Sequence, residues 1–217
     1  FGSIRMTNKL FNVACYKNGK TIPSQDYLTV EQPLQIKINR RPFSVTMRTP
    51  GNDQQLVKGL LYTEGIVDML AGKYPCKEEF LADSTEVMSI NVEVPEVYLC
   101  DSTFDKRSLL VNASCGLCGQ RELNIEEIGV QALNPYELLS LDRVSDLMDT
   151  MRGSQYTFNR TGSTHAAAIF GKDYKLICLS EDIGRHNAVD KAIGHLIERE
   201  CLDDANILCV SGRVSFE

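Results

Sequence analysis

The apolar rhythm of this chain changes between its halves, from strands interrupted by one helix to an alternation of helices and strands. A chain so patterned cannot be an all-helical bundle or a single all-β barrel. In the first half Leu34, Ile36 and Ile38 alternate with polar residues. After a turn at Asn39-Arg40-Arg41-Pro42, Phe43, Val45 and Met47 do the same, the pattern of a half-buried hairpin. Met88, Ile90, Val92 and Val94 predict a further strand, ended by Pro95, which has no N–H for a ladder. One helix interrupts the strands. Leu56, Val57, Leu60 and Leu61 share a helical face, Asn52 or Asp53 can cap its start, and Gly65 can end it.

In the second half Val144, Leu147, Met148 and Met151 predict a helix over 141–152 that stops near Gly153. His165 to Phe170 and Leu176 to Leu179 are short apolar runs on either side of a Gly171-Lys172-Asp173 turn, as paired strands would be. Ala188, Val189, Ala192, Ile193, Leu196 and Ile197 mark a second helix, and Asn187 with Asp190 resembles a capping box. Ile207 to Val210 predicts a strand running into Ser211-Gly212-Arg213. The order is helix, strand, strand, helix, strand. The expectation is an α+β chain of two domains: a β-rich part over 1–125 and an α/β part over 126–217.

Of the 217 residues, 23 are Lys or Arg and 29 are Asp or Glu, a net charge of −6. An acidic total argues against non-specific nucleic-acid binding, but leaves room for a local basic pocket that takes a small anion. No run approaches the roughly 18 apolar residues of a membrane-spanning helix, and Phe1-Gly2-Ser3-Ile4-Arg5 does not resemble a secretory signal. Eight cysteines without a signal predict a reducing, cytoplasmic compartment.

Among those cysteines only Cys115 and Cys118 form a motif, within Ala113-Ser114-Cys115-Gly116-Leu117-Cys118-Gly119-Gln120. Glycines beside the thiols permit a tight turn, and N–H groups in such a turn favour the thiolate. Four readings fit: a disulfide oxidoreductase, half of a zinc site, a sulfur carrier that holds a persulfide, and two incidental cysteines. Cys178 and Cys209 lie in apolar runs and read as packing residues; Cys15, Cys76, Cys100 and Cys201 show no partner pattern.

A second group lies at the strand ends of the α/β part. Glu181-Asp182-Ile183-Gly184-Arg185-His186-Asn187 joins a strand to a helix, where free N–H groups and a planar guanidinium suit an anion. Taken singly, Arg185 and His186 read rather as a solvated arginine and a hydrogen-bonded histidine at a capped helix. Thr161-Gly162-Ser163-Thr164-His165 and Ser211-Gly212-Arg213 abut the same predicted sheet, and together the three turns point to an anionic ligand. Arg48-Thr49-Pro50-Gly51-Asn52-Asp53 reads mainly as a turn with a helix cap.

These blocks, with Tyr62-Thr63-Glu64-Gly65-Ile66 and Ser211-Gly212-Arg213-Val214-Ser215-Phe216-Glu217, stand in the order found in the formate dehydrogenase accessory sulfurtransferase (FdhD) family, which the chain resembles from about residue 34 onward. The resemblance implies a sulfurtransferase that accepts a persulfide from a cysteine desulfurase. It would deliver that sulfur to the bis-guanylyl molybdenum cofactor of formate dehydrogenase, with Cys115 as carrier and Cys118 as its partner. Thr161, Gly162, His165, Arg185, His186, Ser211 and Arg213 would then face the cofactor. It also implies a cytidine-deaminase-like second domain, a homodimer, and no catalytic metal, since Ser211-Gly212-Arg213 stands where a deaminase's later cysteines would begin. Members usually continue past this block, so the second domain is expected to be incomplete. The rival readings are a molybdenum-cofactor chaperone without sulfur chemistry and a zinc-linked dimer.

Overall fold

The structure, a computed structural model, describes residues 7–67, 69, 72–82, 86–99 and 138–214. Strands β1 (Asn8–Lys17) and β2 (Lys20–Thr29) pair as an antiparallel ribbon. Its two-residue turn is Asn18-Gly19, both at positive φ (53° and 78°), the mirror-image geometry that matches strand twist. The ribbon is an arm, exposed along most of its length.

Four strands form the sheet of the first half: β3 (Gln32–Ile38), β4 (Arg41–Arg48), β5 (Cys76–Phe80) and β6 (Val87–Val92), in spatial order β4-β3-β6-β5. Here β3 and β6 run parallel, the other neighbours antiparallel. Helix α1 (Asp53–Thr63) packs Leu56, Val57, Leu60 and Leu61 onto Leu34, Ile36, Ile38, Ile90 and Val92, all nearly or wholly excluded from solvent. Gly65, at φ 60°, ends the helix as expected.

The alternation in β4 is not the one its apolar residues predict. Val45 and Met47 are only half-buried, whereas Ser44, Thr46 and Arg48 are buried. The register explains this: Thr46 lies opposite Leu34 and Ser44 opposite Ile36, so they share the inner face. Thr46 and Arg48 are tolerated there because partners meet them, as described below.

The second half runs α2 (Leu141–Ser154), α3 (Tyr156–Thr161), β7 (His165–Phe170), β8 (Leu176–Asp182), α4 (Arg185–Glu198) and β9 (Ile207–Val210). The sheet order is β8-β7-β9, with β7 antiparallel to both neighbours. α4 covers one face, setting Ala188, Ala192 and Leu196 against Ala167, Ile169 and Cys178. α2 covers the other, setting Leu147 and Met151 against Ala166, Ala168 and Phe170. The expected element order is present, with the short α3 added. Three details differ. α2 runs through Gly153 to Ser154. Val144 and Met148 stay exposed at the edge of its buried stripe, at 41% and 37%. And α4 has no capping box, for Gly184 is its N-cap and Asn187 points away to another partner.

The two halves meet along α1 and α4. A Cβ on Gly59 would stand 1.8 Å from the Asp190 carbonyl oxygen, and one on Gly194 would stand 1.9 Å from that of Gln55. Only glycine permits this approach of backbone to backbone. The boundary expected at 125/126 lies outside the described residues. Among the described residues no helix is long and apolar enough to cross a membrane.

Candidate functional site

The blocks Arg48–Asp53 and Glu181–Lys191 converge on a buried polar lock between the halves. Arg48 is wholly buried, and its guanidinium grips Asp53 through Nε–Oδ1 at 2.9 Å and Nη2–Oδ2 at 3.3 Å. It also donates to the carbonyls of Val87 and Gln32. Asp182, wholly buried at the end of β8, is the centre of the lock. Its Oδ2 accepts from Thr49 N–H at 3.0 Å and from Lys191 Nζ at 2.7 Å. Its Oδ1 accepts from Gly184 N–H at 2.8 Å and from Asn187 Nδ2 at 3.0 Å. Lys191 donates again to the Thr49 carbonyl, Asn187 to the Met47 carbonyl, and Ile183 N–H to Thr49 Oγ1. Thr46 Oγ1 donates to Asn187 Oδ1.

Buried charge is tolerated only when paired and hydrogen-bonded, and here it is. The lock also sets the Ile183-Gly184 turn, and with it the direction of the first residues of α4. Reading Asn187 as a cap and Arg48–Asp53 as mainly a turn with a helix cap missed this. The available signal was Arg48 at the end of the β4 alternation and Lys191 beside the apolar stripe of α4.

Beside the lock, two predicted site residues, His165 and Arg185, come together with Gly212 at one end of the β8-β7-β9 sheet. His165 opens β7 opposite Asp182, and Arg185 opens α4. Gly212 lies between them: a Cβ there would be 3.1 Å from His165 Nδ1 and 3.3 Å from Arg185 Cβ. Glycine thus lets the Ser211-Gly212-Arg213 turn pack closely against both residues. Ser211 extends the ladder beside it, its Oγ accepting from Ala166 N–H at 2.8 Å. Arg213 follows, exposed. His186, half-buried, is the second residue of α4, which starts without a side-chain cap.

Thr161 and Gly162 have other work. Thr161 Oγ1 donates to the Thr157 carbonyl and meets Thr29 Oγ1 at 2.8 Å, so it anchors the β1–β2 arm. Gly162, at φ 65°, ends α3. Glu181, which the sequence placed in the anion turn, instead accepts from the N–H groups of Thr157 and Phe158 at the start of α3, and from Thr164 Oγ1.

Cys115 and Cys118 lie outside the described residues. Of the other cysteines, Cys178 is buried against the Ala192 carbonyl, as a packing residue should be, and burial pushes its thiol up to about 11. Burial also pushes Cys76 up to about 11 and raises Cys209. Such thiols hold almost no thiolate near neutral pH and are poor nucleophiles.

The described residues define an α/β protein of three sheets, with His165, Arg185 and Gly212 together at the start of α4. Residues 29–217 match the FdhD/NarQ family, and the chain belongs to that family. It is 37% identical over 203 residues to the sulfur carrier protein FdhD of Sulfolobus acidocaldarius, covering 93% of this chain and 74% of that protein. It is 37% identical over 210 residues to the protein of the same name from Streptomyces coelicolor, with the same coverage. The fold is similar to the crystal structure of a protein from Desulfotalea psychrophila described as a formate dehydrogenase accessory protein. The TM-score is 0.65 at 16% identity, over 96% of this chain and 74% of that one.

Proposed function

We propose that this chain is a sulfurtransferase that carries sulfur as a persulfide on Cys115 and serves the assembly of formate dehydrogenase. The observation that carries the reading is family membership, with relatives named sulfur carrier protein, together with the Ser114-Cys115-Gly116-Leu117-Cys118-Gly119 motif. In the loading step the Cys115 thiolate attacks the outer sulfur of a persulfide on a cysteine desulfurase. A new S–S bond forms on Cys115, the donor S–S bond breaks, and the donor cysteine leaves as thiolate. Cys118 stands three residues away as the second thiol. The acceptor is the bis-guanylyl molybdenum cofactor, as substrate, before it enters formate dehydrogenase.

That cofactor bears pyrophosphates, and the start of α4, which has no side-chain cap and carries Arg185 as its first residue with His165 and Gly212 packed beside it, suits a phosphate. Ser211, Arg213 and His186 border that cluster. Thr161 and Gly162 contribute by shaping the turn before His165 rather than by contact, since their groups are engaged within the protein. The sheet order β8-β7-β9 with an antiparallel middle strand supports the cytidine-deaminase-like reading of this half, with domains over 1–125 and 126–217. The compartment is the cytoplasm, where thiols stay reduced.

Cys115→Ala is expected to abolish persulfide loading from a desulfurase while leaving the melting transition unchanged. Loading at the wild-type level in that variant would overturn the proposal. Retained enzyme activation without loading would favour a cofactor chaperone instead.

A further inference from the structure

Between the start of α1 and the free edge of β8 lies a cleft of about 750 Å³. Its walls come from both halves: residues 50–55 and Glu78 from the first, Ser180, Lys191 and Glu198 from the second. It shares no residue with the cluster of His165, Arg185 and Gly212. Small-molecule sites hold about 300–1,000 Å³, so the volume is ample for a metabolite.

One wall is made of donors. Ser180 is 2% exposed, and its hydroxyl has no hydrogen-bond partner. A hydroxyl buried in that way is costly unless something binds it. Lys191 spends two of its three N–H groups, on Asp182 Oδ2 and on the Thr49 carbonyl. At the start of α1, Asn52 lies in the left-handed region (φ 54°, ψ 34°) and its side chain caps nothing. The N–H groups of Gln54 and Gln55 donate to no described residue. The two buried carboxylates nearby leave no excess charge, for Arg48 offsets Asp53 and Lys191 offsets Asp182. The rim is the opposite. Glu78 accepts from Gln54, Glu198 accepts from Gln55 and Lys58, and Glu181 borders the same opening. Three carboxylates stand there against the single ammonium of Lys58.

We propose that this cleft binds a free α-amino acid, its carboxylate on the donor wall and its ammonium at the acidic rim. A carboxylate is the anion that a helix start and a lone hydroxyl can hold without further cations. An ammonium is the group that an excess of carboxylates attracts. One small ligand carries both, whereas the same rim repels a ligand rich in phosphate. Because the walls belong to both halves, the bound amino acid joins α1 to β8 and stabilises their union.

Isothermal titration calorimetry of the full chain with each standard L-amino acid tests this, and reads binding whether or not the sulfur chemistry of the previous section holds. At least one amino acid is expected to bind with a Kd below about 1 mM. Its amide, which lacks the carboxylate, and its N-acetyl derivative, which lacks the ammonium, should each bind at least about tenfold more weakly. Ser180→Ala should also raise the Kd about tenfold, yet leave the melting temperature of the free protein unchanged or higher, since the hydroxyl has no partner to lose. Glu198→Gln should raise the Kd while keeping the side chain's shape. Absence of any amino acid that binds below about 1 mM overturns the proposal. So does a Kd unchanged in both variants, a derivative that binds as tightly as its parent, or inorganic phosphate that binds as tightly as the amino acid.

Discussion

Lys191 shows what a single ammonium group does in this molecule. It is 1% exposed and joins the Asp182 carboxylate of its own half to the Thr49 carbonyl of the other. Replacing it by methionine keeps the volume but leaves Asp182 charged and underpaired in a dry place. Lys191→Met should cost about 3–5 kcal/mol of stability in denaturant unfolding. Adding Asp182→Asn should recover part of that loss, because the orphaned charge is then gone. Equal loss in the single and double variants would show that the pair is not the source.

At the scale of elements, the α1–α4 crossing decides how close the halves come. An alanine is a better helix former than glycine by about 1 kcal/mol, so propensity alone would favour Gly194→Ala. The geometry opposes it, since the added Cβ would stand 1.9 Å from the Gln55 carbonyl oxygen. Overpacking costs about 1–3 kcal/mol. The variant should therefore be less stable than the parent in thermal unfolding, and a gain in melting temperature would contradict the packing described.

The same helix makes stability respond to acid. Burial holds the His195 imidazole below its usual pKa, and Arg199 adds to the effect. The unfolded chain then binds a proton that the folded chain resists, so stability is full above about pH 6.5 and falls as pH drops through the folded value. His195→Gln should flatten the slope of unfolding free energy in that window, while an unchanged slope would assign it to other groups.

What the sequence reveals at this scale depends on whether apolar spacing alone decides burial. It does for α1, α4 and β3, whose apolar residues lie on the buried side. It fails for β4, where Ser44, Thr46 and Arg48 turn inward because pairing with β3 overrides side-chain preference. β1 and β2 lack an apolar-in pattern because neither face is covered, although Asn18-Gly19 is a strong hairpin signal. α3 is a short, mostly exposed helix pinned by Glu181 from a distant strand, a tertiary effect with no local signature. At the site, the convergence of His165, Arg185 and Gly212 was legible because all three flank strands of one sheet. The role of Thr161 was not, because it depends on the arm.

The described residues unite the four-stranded and three-stranded sheets through one pair of close helices and one buried lock. The motifs Arg48–Asp53 and Glu181–Lys191 serve that union as much as they serve any ligand. They hold the start of α4 against the first half, so the cluster of His165, Arg185 and Gly212 rests on contacts from both halves. An acidic total of −6 thus coexists with a local cluster of arginine and histidine at one sheet end. The proposed sulfur chemistry is assigned to the 115–118 motif by the family resemblance, and burial raises the thiols of Cys76, Cys178 and Cys209, which makes these three poor nucleophiles. The most direct test is peptide mass spectrometry of the full chain after incubation with a cysteine desulfurase and cysteine. The account predicts a gain of one sulfur atom, removable by a thiol reductant, on the peptide that contains Cys115. A protein that gains no sulfur, or gains it on a peptide without Cys115, would contradict it.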